Sequence, residues 1–344
     1  MIERSIIIVM RDTPCAHSCR YCNMGSRKRY VKVPRARRNA LLERFITWQA
    51  QAGEGLSIAV ASGYSDEAPR REPENAVRET ERLNGVLLTR RGVLERRMHL
   101  GGLKMRSPEE TRVLMQARYE AGYRFANASY AGVYEIHDYW NRREGDFLHL
   151  LQLQRIAVEV GMNLGQYLFV AQNTLPHLEQ LLDLLNALPR PAVERAAILF
   201  GYIGSAREHE AQRITEAHRE RLPDRIRALI PPHAQWKSER EWMATEQGED
   251  SRIPQRMWLF VDETNIDWLE ATPCADILAD LEEKTSAAHR ALPSWAELRD
   301  RHGDPDGHSI YASGEEIARK WLDRHLEQHP IAFERRLTHL RATY

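Results

Sequence analysis

The chain has 344 residues, of which 42% are hydrophobic, and its 49 basic residues equal its 49 acidic residues. This length and composition are typical of one large globular domain, or of one domain with an appendage. The balanced charge argues against a nucleic acid or membrane partner, and the apolar stretch near the N-terminus is shorter than a signal-peptide core or a membrane span. We therefore expect a cytoplasmic protein.

Six apolar segments alternate with segments of helical periodicity in the first part of the chain. They lie at residues 6–10, 56–61, 98–100, 125–129, 164–170 and 196–202. Such alternation predicts parallel strands joined by helical crossovers. We predict an α/β fold, a partial (β/α)6 TIM-like barrel over residues 1–205, with the functional loops at the carboxyl ends of the strands.

The pattern changes after residue 205 to charged helical segments, which predict a C-terminal extension over residues 206–344. Two apolar runs flank Asp262–Asn265 and predict a hairpin near residues 257–274. Residues beyond about 275 are predicted to be helical, with a turn at Gly303–Gly307. We expect the extension to cover the mouth of the barrel and to exclude water from it.

Three of the four cysteines lie on the loop that follows the first predicted strand. Cys15, Cys19 and Cys22 have the spacing C-x3-C-x2-C, and clustered thiols in a cytosolic chain favour a metal site over disulfides. Three thiolates can bind three irons of an iron–sulfur cube and leave the fourth iron open for a small molecule, as in a catalytic metal site. The alternative is a zinc site with His17 or Cys274 as the fourth ligand, although zinc knuckles usually stabilise small domains that lack a core.

With an aromatic residue, Tyr21, directly before the third cysteine, this loop resembles the signature of the radical S-adenosylmethionine superfamily. The resemblance implies one [4Fe–4S] cluster on the three cysteines. It implies reductive cleavage of S-adenosylmethionine to a 5′-deoxyadenosyl radical, which abstracts hydrogen from a substrate. An electron donor such as flavodoxin or ferredoxin is implied as well. By the same resemblance, the backbone of Tyr21 lies near the adenine.

After the second strand, Ala61–Glu67 takes the place of the family's Gly-Gly-Glu-like segment. The resemblance makes Ser62, Gly63 and Glu67 expected contacts of the cosubstrate, with Asp66 as an alternative acid. Gly63 allows a close approach of the backbone, and an acid can accept a hydrogen bond from an ammonium group. The match departs from the family pattern because Ser62 replaces the first glycine. A plain turn is the alternative interpretation.

Residues 129–138 resemble the Ser-Leu-Asp-Gly…His-Asp run of the peptide-modifying branch that carries a C-terminal SPASM domain. This implies that Ser129 lies near the cosubstrate. We expect His137 and Asp138 to fix a loop rather than to act in catalysis. Asn141 occupies the position of an expected arginine, so Arg142 is the candidate for the cosubstrate carboxylate.

SPASM enzymes carry many C-terminal cysteines, whereas this chain has only Cys274 in that region. One thiol cannot hold a conventional auxiliary cluster, which usually takes four ligands. We therefore expect a single cluster and a degenerate SPASM-like extension. Cys274 itself is either a small buried hydrophobe, a hydrogen-atom donor to a substrate radical, or a metal ligand.

The resemblance favours a residue of a peptide or protein as substrate, as in the maturation of ribosomally made natural products. Because the first strand starts near residue 6, we expect the extension or a separate protein to recognise a peptide leader. A sugar or another small metabolite is the alternative substrate. A non-catalytic zinc or iron–sulfur binding module is the alternative from a different class of protein.

Overall fold

The computed structural model describes residues 2–10, 17–22, 33–52, 57–62, 96–120, 122–189, 192–245 and 255–329. Its strands are β1 (Ile2–Met10), β2 (Ser57–Ser62), β3 (Arg96–His99), β4 (Tyr123–Tyr130), β5 (Asn163–Val170), β6 (Glu194–Leu199), β7 (Lys237–Ser238), β8 (Gln255–Phe260) and β9 (Ile310–Tyr311). Its α-helices are α1 (Arg35–Ala52), α2 (Pro108–Glu120), α3 (Tyr134–Asn141), α4 (Asp146–Glu159), α5 (Leu178–Asn186), α6 (Glu216–Glu220), α7 (Asp224–Arg227), α8 (Glu239–Met243), α9 (Ile266–Ala271), α10 (Cys274–Ala291), α11 (Trp295–His302) and α12 (Gly314–Gln328). Two 3-10 segments lie at Leu175–His177 and Gly204–Gln212.

All six predicted barrel strands are present as β1 to β6. β1 pairs in parallel with β2, and β3, β4, β5 and β6 pair in parallel in chain order in a second sheet. Helices connect β3 to β4, β4 to β5, and β5 to β6, as parallel strands require a crossover. The predicted α/β class with parallel strands is therefore confirmed, and the six strands lie in two sheets, of order β2-β1-β8 and β3-β4-β5-β6.

The two faces of the second sheet differ in character because side chains alternate along a strand. One face carries Ala126, Ala128, Tyr130 and Leu168, which are buried in the largest hydrophobic cluster together with residues of α2, α4 and α5. The opposite face, which we call the site face, carries Asn127 and Ser129 of β4. In register beside them on β5 are Gly165 and Tyr167, and Phe169 lies two residues further on.

The predicted hairpin around Asp262–Asn265 is wrong. The first apolar run forms β8, which pairs in parallel with β1 on the side away from β2, and the second run forms α9. Between them, the Asn265 amide nitrogen donates to the Phe260 carbonyl at 2.6 Å, and its oxygen accepts from the Asp262 N–H at 3.0 Å. The turn therefore leads from a strand into a helix, and the extension adds a strand beside the one that precedes the cysteines.

The extension is otherwise helical, as predicted, over the residues described. α8, α11 and α12 contribute Trp242, Trp295 and Trp321 to one buried cluster, and β7 pairs antiparallel with β9. Among the described segments, no helix has the length and apolar character needed to cross a membrane. The division of the chain at residue 205 stays a prediction.

Candidate functional site

The described part of the cysteine loop, residues 17–22, is a short turn that carries two of the predicted ligands. Cys19 and Cys22 are half-buried, and the Cys22 N–H donates to the Cys19 carbonyl at 3.1 Å. Cys15 lies outside the described residues. Within the described ranges, no group of three His, Cys, Asp or Glu side chains is placed to hold a metal ion. The structure therefore brings two of the three predicted ligands onto one turn.

Backbone hydrogen bonds attach this loop on two sides. The Arg20 N–H donates to the Trp140 carbonyl at 2.8 Å, and the Ser205 N–H donates to the Cys22 carbonyl at 2.9 Å. Arg20 also donates from Nε to the Tyr139 carbonyl at 3.0 Å and lies 4.1 Å above the Tyr139 ring. Backbone hydrogen bonds thus hold the loop between α3 and the segment that follows β6.

Tyr21 belongs to an aromatic cluster formed with Trp140, Phe169 and Phe200. Its ring centroid lies 4.5 Å from that of Phe169, 5.1 Å from Phe200 and 6.4 Å from Trp140. Phe169 is near the carboxyl end of β5, and Phe200 directly follows β6. The cysteine loop therefore meets the strands at their carboxyl ends, where parallel α/β folds place their sites.

His17 of this loop belongs to a largely buried polar group that also contains His137, Asn141, Arg143 and Asp146, and which we call the Asp146 cluster. The Asp146 carboxylate accepts from Asn141 at 2.5 Å and from Arg143 Nε at 2.9 Å. His137 Nε2 lies 3.4 Å and His17 Nε2 lies 3.6 Å from its oxygens. Burial opposes ionisation of Asp146, but the hydrogen bond with His137 and the charges of His17 and Arg143 hold its pKa well below the usual range.

The Asp146 cluster reaches the cysteine loop at two points. The Tyr21 hydroxyl donates to the Asn141 side-chain oxygen. His17 Nδ1 lies 3.6 Å from Cys19 Sγ, while the other ring nitrogen faces Asp146. One buried carboxylate therefore connects, through Asn141 and His17, to both ends of the described loop.

His137 and Asp138 fix a loop, as predicted. His137 Nδ1 accepts from the Ala131 N–H at 3.1 Å. The Asp138 carboxylate accepts from the N–H groups of Gly145 at 2.6 Å and Phe147 at 2.9 Å, which holds the start of α4. These contacts shape the chain that carries the Asp146 cluster.

The predicted cosubstrate contacts fall into three groups. Ser62 ends β2 beside Met10, the last residue of β1, while Gly63 and Glu67 lie outside the described residues. Ser129 is half-buried on the site face, the face that also carries Phe169 of the aromatic cluster. Arg142 is exposed and ends α3 with φ 53°, next to Asn141. Contact of these residues with a cosubstrate stays a prediction.

Cys274 lies in a different part of the fold. It begins α10, is 5% exposed, and packs in a cluster with Phe45, Met257 and Leu259 that includes no member of the aromatic cluster. Burial raises the pKa of its thiol. This placement is typical of a small buried hydrophobe. The hydrogen-donor and ligand roles stay predictions.

Sequence reasoning did not identify Trp140, Asp146 and Phe200 as site residues. Trp140 and Phe200 read as ordinary apolar core, and Asp146 reads as an acid in the first turn of a helix, where the helix dipole favours it. The sequence does place Asn141 at the position of an expected arginine. That departure from the family pattern was the available signal that this position differs.

The sequence matches no protein-family model and no curated protein. Among solved structures, SuiB of Streptococcus suis bound to the precursor peptide SuiA is 12% identical over 57% of this chain and 39% of that chain, with a TM-score of 0.38. The structure of anSMEcpe with bound AdoMet is 14% identical over 57% of this chain and 51% of that chain, with a TM-score of 0.35.

Coproporphyrinogen III oxidase (HemN) from Escherichia coli, described as a radical SAM enzyme, is 14% identical over 93% of this chain and 89% of that chain, with a TM-score of 0.42. The matched part spans about half of anSMEcpe and less of SuiB. Because identities and TM-scores are low throughout, these similarities assign neither an activity nor a substrate to this chain.

Proposed function

We propose that this chain is a radical S-adenosylmethionine enzyme that holds one [4Fe–4S] cluster on Cys15, Cys19 and Cys22. The observation that carries the proposal is the C-x3-C-x2-C loop, which follows the central strand of a parallel sheet. Its aromatic residue, Tyr21, packs at the carboxyl ends of β5 and β6. Loops at that end of parallel strands carry the reactive groups of α/β enzymes.

The described residues fit such a cluster. Thiolates are the usual protein ligands of iron–sulfur clusters, and Cys19 and Cys22 are half-buried on one turn that backbone hydrogen bonds attach to α3 and to the segment after β6. Cys15, Cys19 and Cys22 would hold the cluster, which when reduced would supply the one electron needed for reductive cleavage of S-adenosylmethionine to methionine and a 5′-deoxyadenosyl radical.

The chain's own residues would orient the loop and keep water from it. Phe169 and Phe200 of the aromatic cluster pack against the ring of Tyr21. Asn141 of the Asp146 cluster accepts a hydrogen bond from the Tyr21 hydroxyl. Ser129 presents a hydroxyl on the face shared with Phe169, where it can hydrogen-bond a ligand that lies over the strand ends. A fixed and partly dry loop suits radical chemistry, since a primary carbon radical reacts with little discrimination.

A residue of a peptide or protein is the substrate that we propose, with a flavodoxin- or ferredoxin-type protein as electron donor. Support comes from Ser129, Gly132, His137 and Asp138, which keep the spacing of the peptide-modifying branch. The backbone conformation and the packing of this chain both favour glycine at position 132. Its φ is 83°, and a Cβ there would lie 2.7 Å from Ile136 Cγ2.

Anaerobic reconstitution tests the activity. Iron per chain is counted, dithionite and S-adenosylmethionine are added, and 5′-deoxyadenosine is measured in the wild type, Cys19→Ala and Cys274→Ala. We expect about four irons per chain, with cleavage lost in Cys19→Ala and retained in Cys274→Ala. Zinc in place of iron, or a filled cluster that does not cleave S-adenosylmethionine, would contradict the proposal and favour a binding module.

A second experiment tests the substrate class. The active enzyme is incubated with candidate precursor peptides and, separately, with sugars and other small metabolites, and the products are identified by mass spectrometry. A modified peptide residue is the expected result. A product formed from a metabolite alone would contradict the peptide proposal and leave the radical mechanism standing.

A further inference from the structure

The segment that follows β6, residues 200–205, contacts the cysteine loop at two points. The Phe200 ring stacks on Tyr21 with centroids 5.1 Å apart and an interplanar angle of 18°. Five residues later, the Ser205 N–H donates to the Cys22 carbonyl at 2.9 Å. The position of this segment therefore bears directly on the positions of Tyr21 and Cys22.

Side chains from outside the segment satisfy part of its backbone. The Phe200 carbonyl accepts from Arg213 Nη2 at 2.8 Å, and the Tyr202 N–H donates to Glu316 Oε1 at 2.8 Å. Buried backbone groups need partners, and here two side chains provide them. A change in either side chain would therefore let the segment shift.

Arg213 and Glu316 form a buried ion pair that connects this segment to the extension. Arg213 Nη2 lies 2.6 Å from Glu316 Oε1, and the residues are 6% and 7% exposed. Arg213 Nη1 donates to the Ile310 carbonyl at 3.0 Å, and Glu316 Oε2 accepts from the Ala312 N–H at 2.7 Å. The guanidinium also lies 4.3 Å from the centre of the Tyr311 ring. Both side chains are thus fixed by β9 and its flanking residues.

We propose that Arg213 and Glu316 are positioning residues for the cysteine loop. Glu316, on α12, holds Arg213 and the Tyr202 N–H, and Arg213 holds the Phe200 carbonyl. Through Phe200 and Ser205, this arrangement sets the positions of Tyr21 and Cys22. Arg213 and Glu316 belong to the extension, so the extension positions the cysteine loop through the segment that follows β6. Of the two tests of this proposal, only the measurement on the reconstituted enzyme rests on the proposed function.

Thiol reactivity in the folded apoprotein tests the proposal without any cofactor. Cys19, Cys22 and Cys274 are alkylated with iodoacetamide under native conditions, and the rate at each cysteine is read by peptide mass spectrometry. The variants are Glu316→Gln and Arg213→Lys. The matched control is Glu315→Gln, on the same helix, where the carboxylate is 42% exposed and pairs with Arg319 at the surface.

We expect alkylation of Cys19 and Cys22 to rise several-fold in Glu316→Gln, while Cys274, in its separate cluster, keeps the wild-type rate. Arg213→Lys should behave similarly, because lysine keeps the charge but cannot reach two carbonyls and a carboxylate with a planar fork. A parallel rise at all three cysteines would show general loosening and overturn the proposal. Wild-type rates at Cys22 in folded Glu316→Gln or Arg213→Lys would overturn it as well.

The second measurement uses the reconstituted enzyme. We expect Glu316→Gln to bind wild-type amounts of iron, because the cysteines are unchanged, and to show a several-fold higher KM for S-adenosylmethionine. An unchanged KM together with unchanged alkylation would contradict the positioning role. If the wild type itself fails to bind iron or to cleave S-adenosylmethionine, the proposed function fails, and the alkylation pattern still decides the role of Arg213 and Glu316.

Discussion

Asp146→Ala removes the carboxylate around which the Asp146 cluster is built. Its side chain is 1% exposed, and its oxygens accept from Asn141 at 2.5 Å and from Arg143 at 2.9 Å, with two histidine nitrogens within 3.6 Å. Without it, the guanidinium of Arg143 loses its compensating charge, and Asn141 loses a hydrogen-bond acceptor. Removal of one partner from a buried charged group typically costs roughly 3–5 kcal/mol of stability. We expect a loss in that range.

Asp146→Asn separates charge from shape. The amide keeps the size of the side chain but removes its charge and replaces one acceptor oxygen by a donor, and we expect a smaller loss of roughly 1–3 kcal/mol. Urea denaturation followed by circular dichroism measures both variants. The control is Asp183→Asn, where a 66% exposed carboxylate pairs with Arg225 and the expected change is only about 0–1 kcal/mol.

The pH dependence of the free energy of unfolding tests the role of the Asp146 charge more directly than a measurement at neutral pH alone. Because the pKa of Asp146 is lowered in the folded protein, its stabilisation is fully present above the unfolded aspartate pKa of about 3.9 and is lost as the pH falls below that value. The difference between wild type and Asp146→Asn should therefore be constant from neutral pH down to about 5 and shrink at lower pH. A difference that persists unchanged below the unfolded pKa, or a change at neutral pH as small as that of Asp183→Asn, would refute the reasoning.

Two further predictions concern packing and histidine titration. Gly165→Ala would place a Cβ 2.3 Å from the Asn127 side-chain oxygen, so we expect a loss of about 1–3 kcal/mol, whereas Gly101→Ala meets no atom within 4 Å and should be near neutral. Equal urea midpoints for the two variants would contradict this. Burial lowers the pKa values of His302 and His325, whose ring nitrogens lie 3.1 Å apart, so stability should fall as the pH drops below the unfolded histidine value of about 6.5. Thermal unfolding of the wild type and His302→Gln between pH 8 and 5 measures it; an identical slope in both proteins would contradict the assignment.

The six parallel strands could be predicted from the sequence because their signal is local. Runs such as Ile6–Met10 are rich in β-branched residues, and each is followed by a helical period, which is sufficient to indicate parallel pairing. The segment at residues 257–269 misled for the opposite reason. Two apolar runs around a turn are equally consistent with a hairpin and with a strand that leads into a helix, and only the distant partner, β1, decides between them.

The same distinction applies to the site. The cysteine spacing and Tyr21 could be read because they lie within eight residues of one another. The Arg213–Glu316 pair could not, because its members are 103 residues apart. Asp146 could not because its burial depends on the surrounding fold, although Asn141 and Arg143 are near it in the chain. Charged residues are usually exposed, so the burial of these residues had to be seen before a role could be inferred.

The pairing of β8 with β1 has a consequence for the order in which the protein is made. β1, which precedes the cysteine loop, lies between β2 and β8, so one of its edges has no partner until residues 255–260 have been synthesised. Chains emerge from the ribosome N-terminus first, and unpaired strand edges promote aggregation. The strand that leads into the cysteine loop therefore emerges well before the strand that completes its pairing, so assembly of the cysteine loop would depend on residues synthesised later.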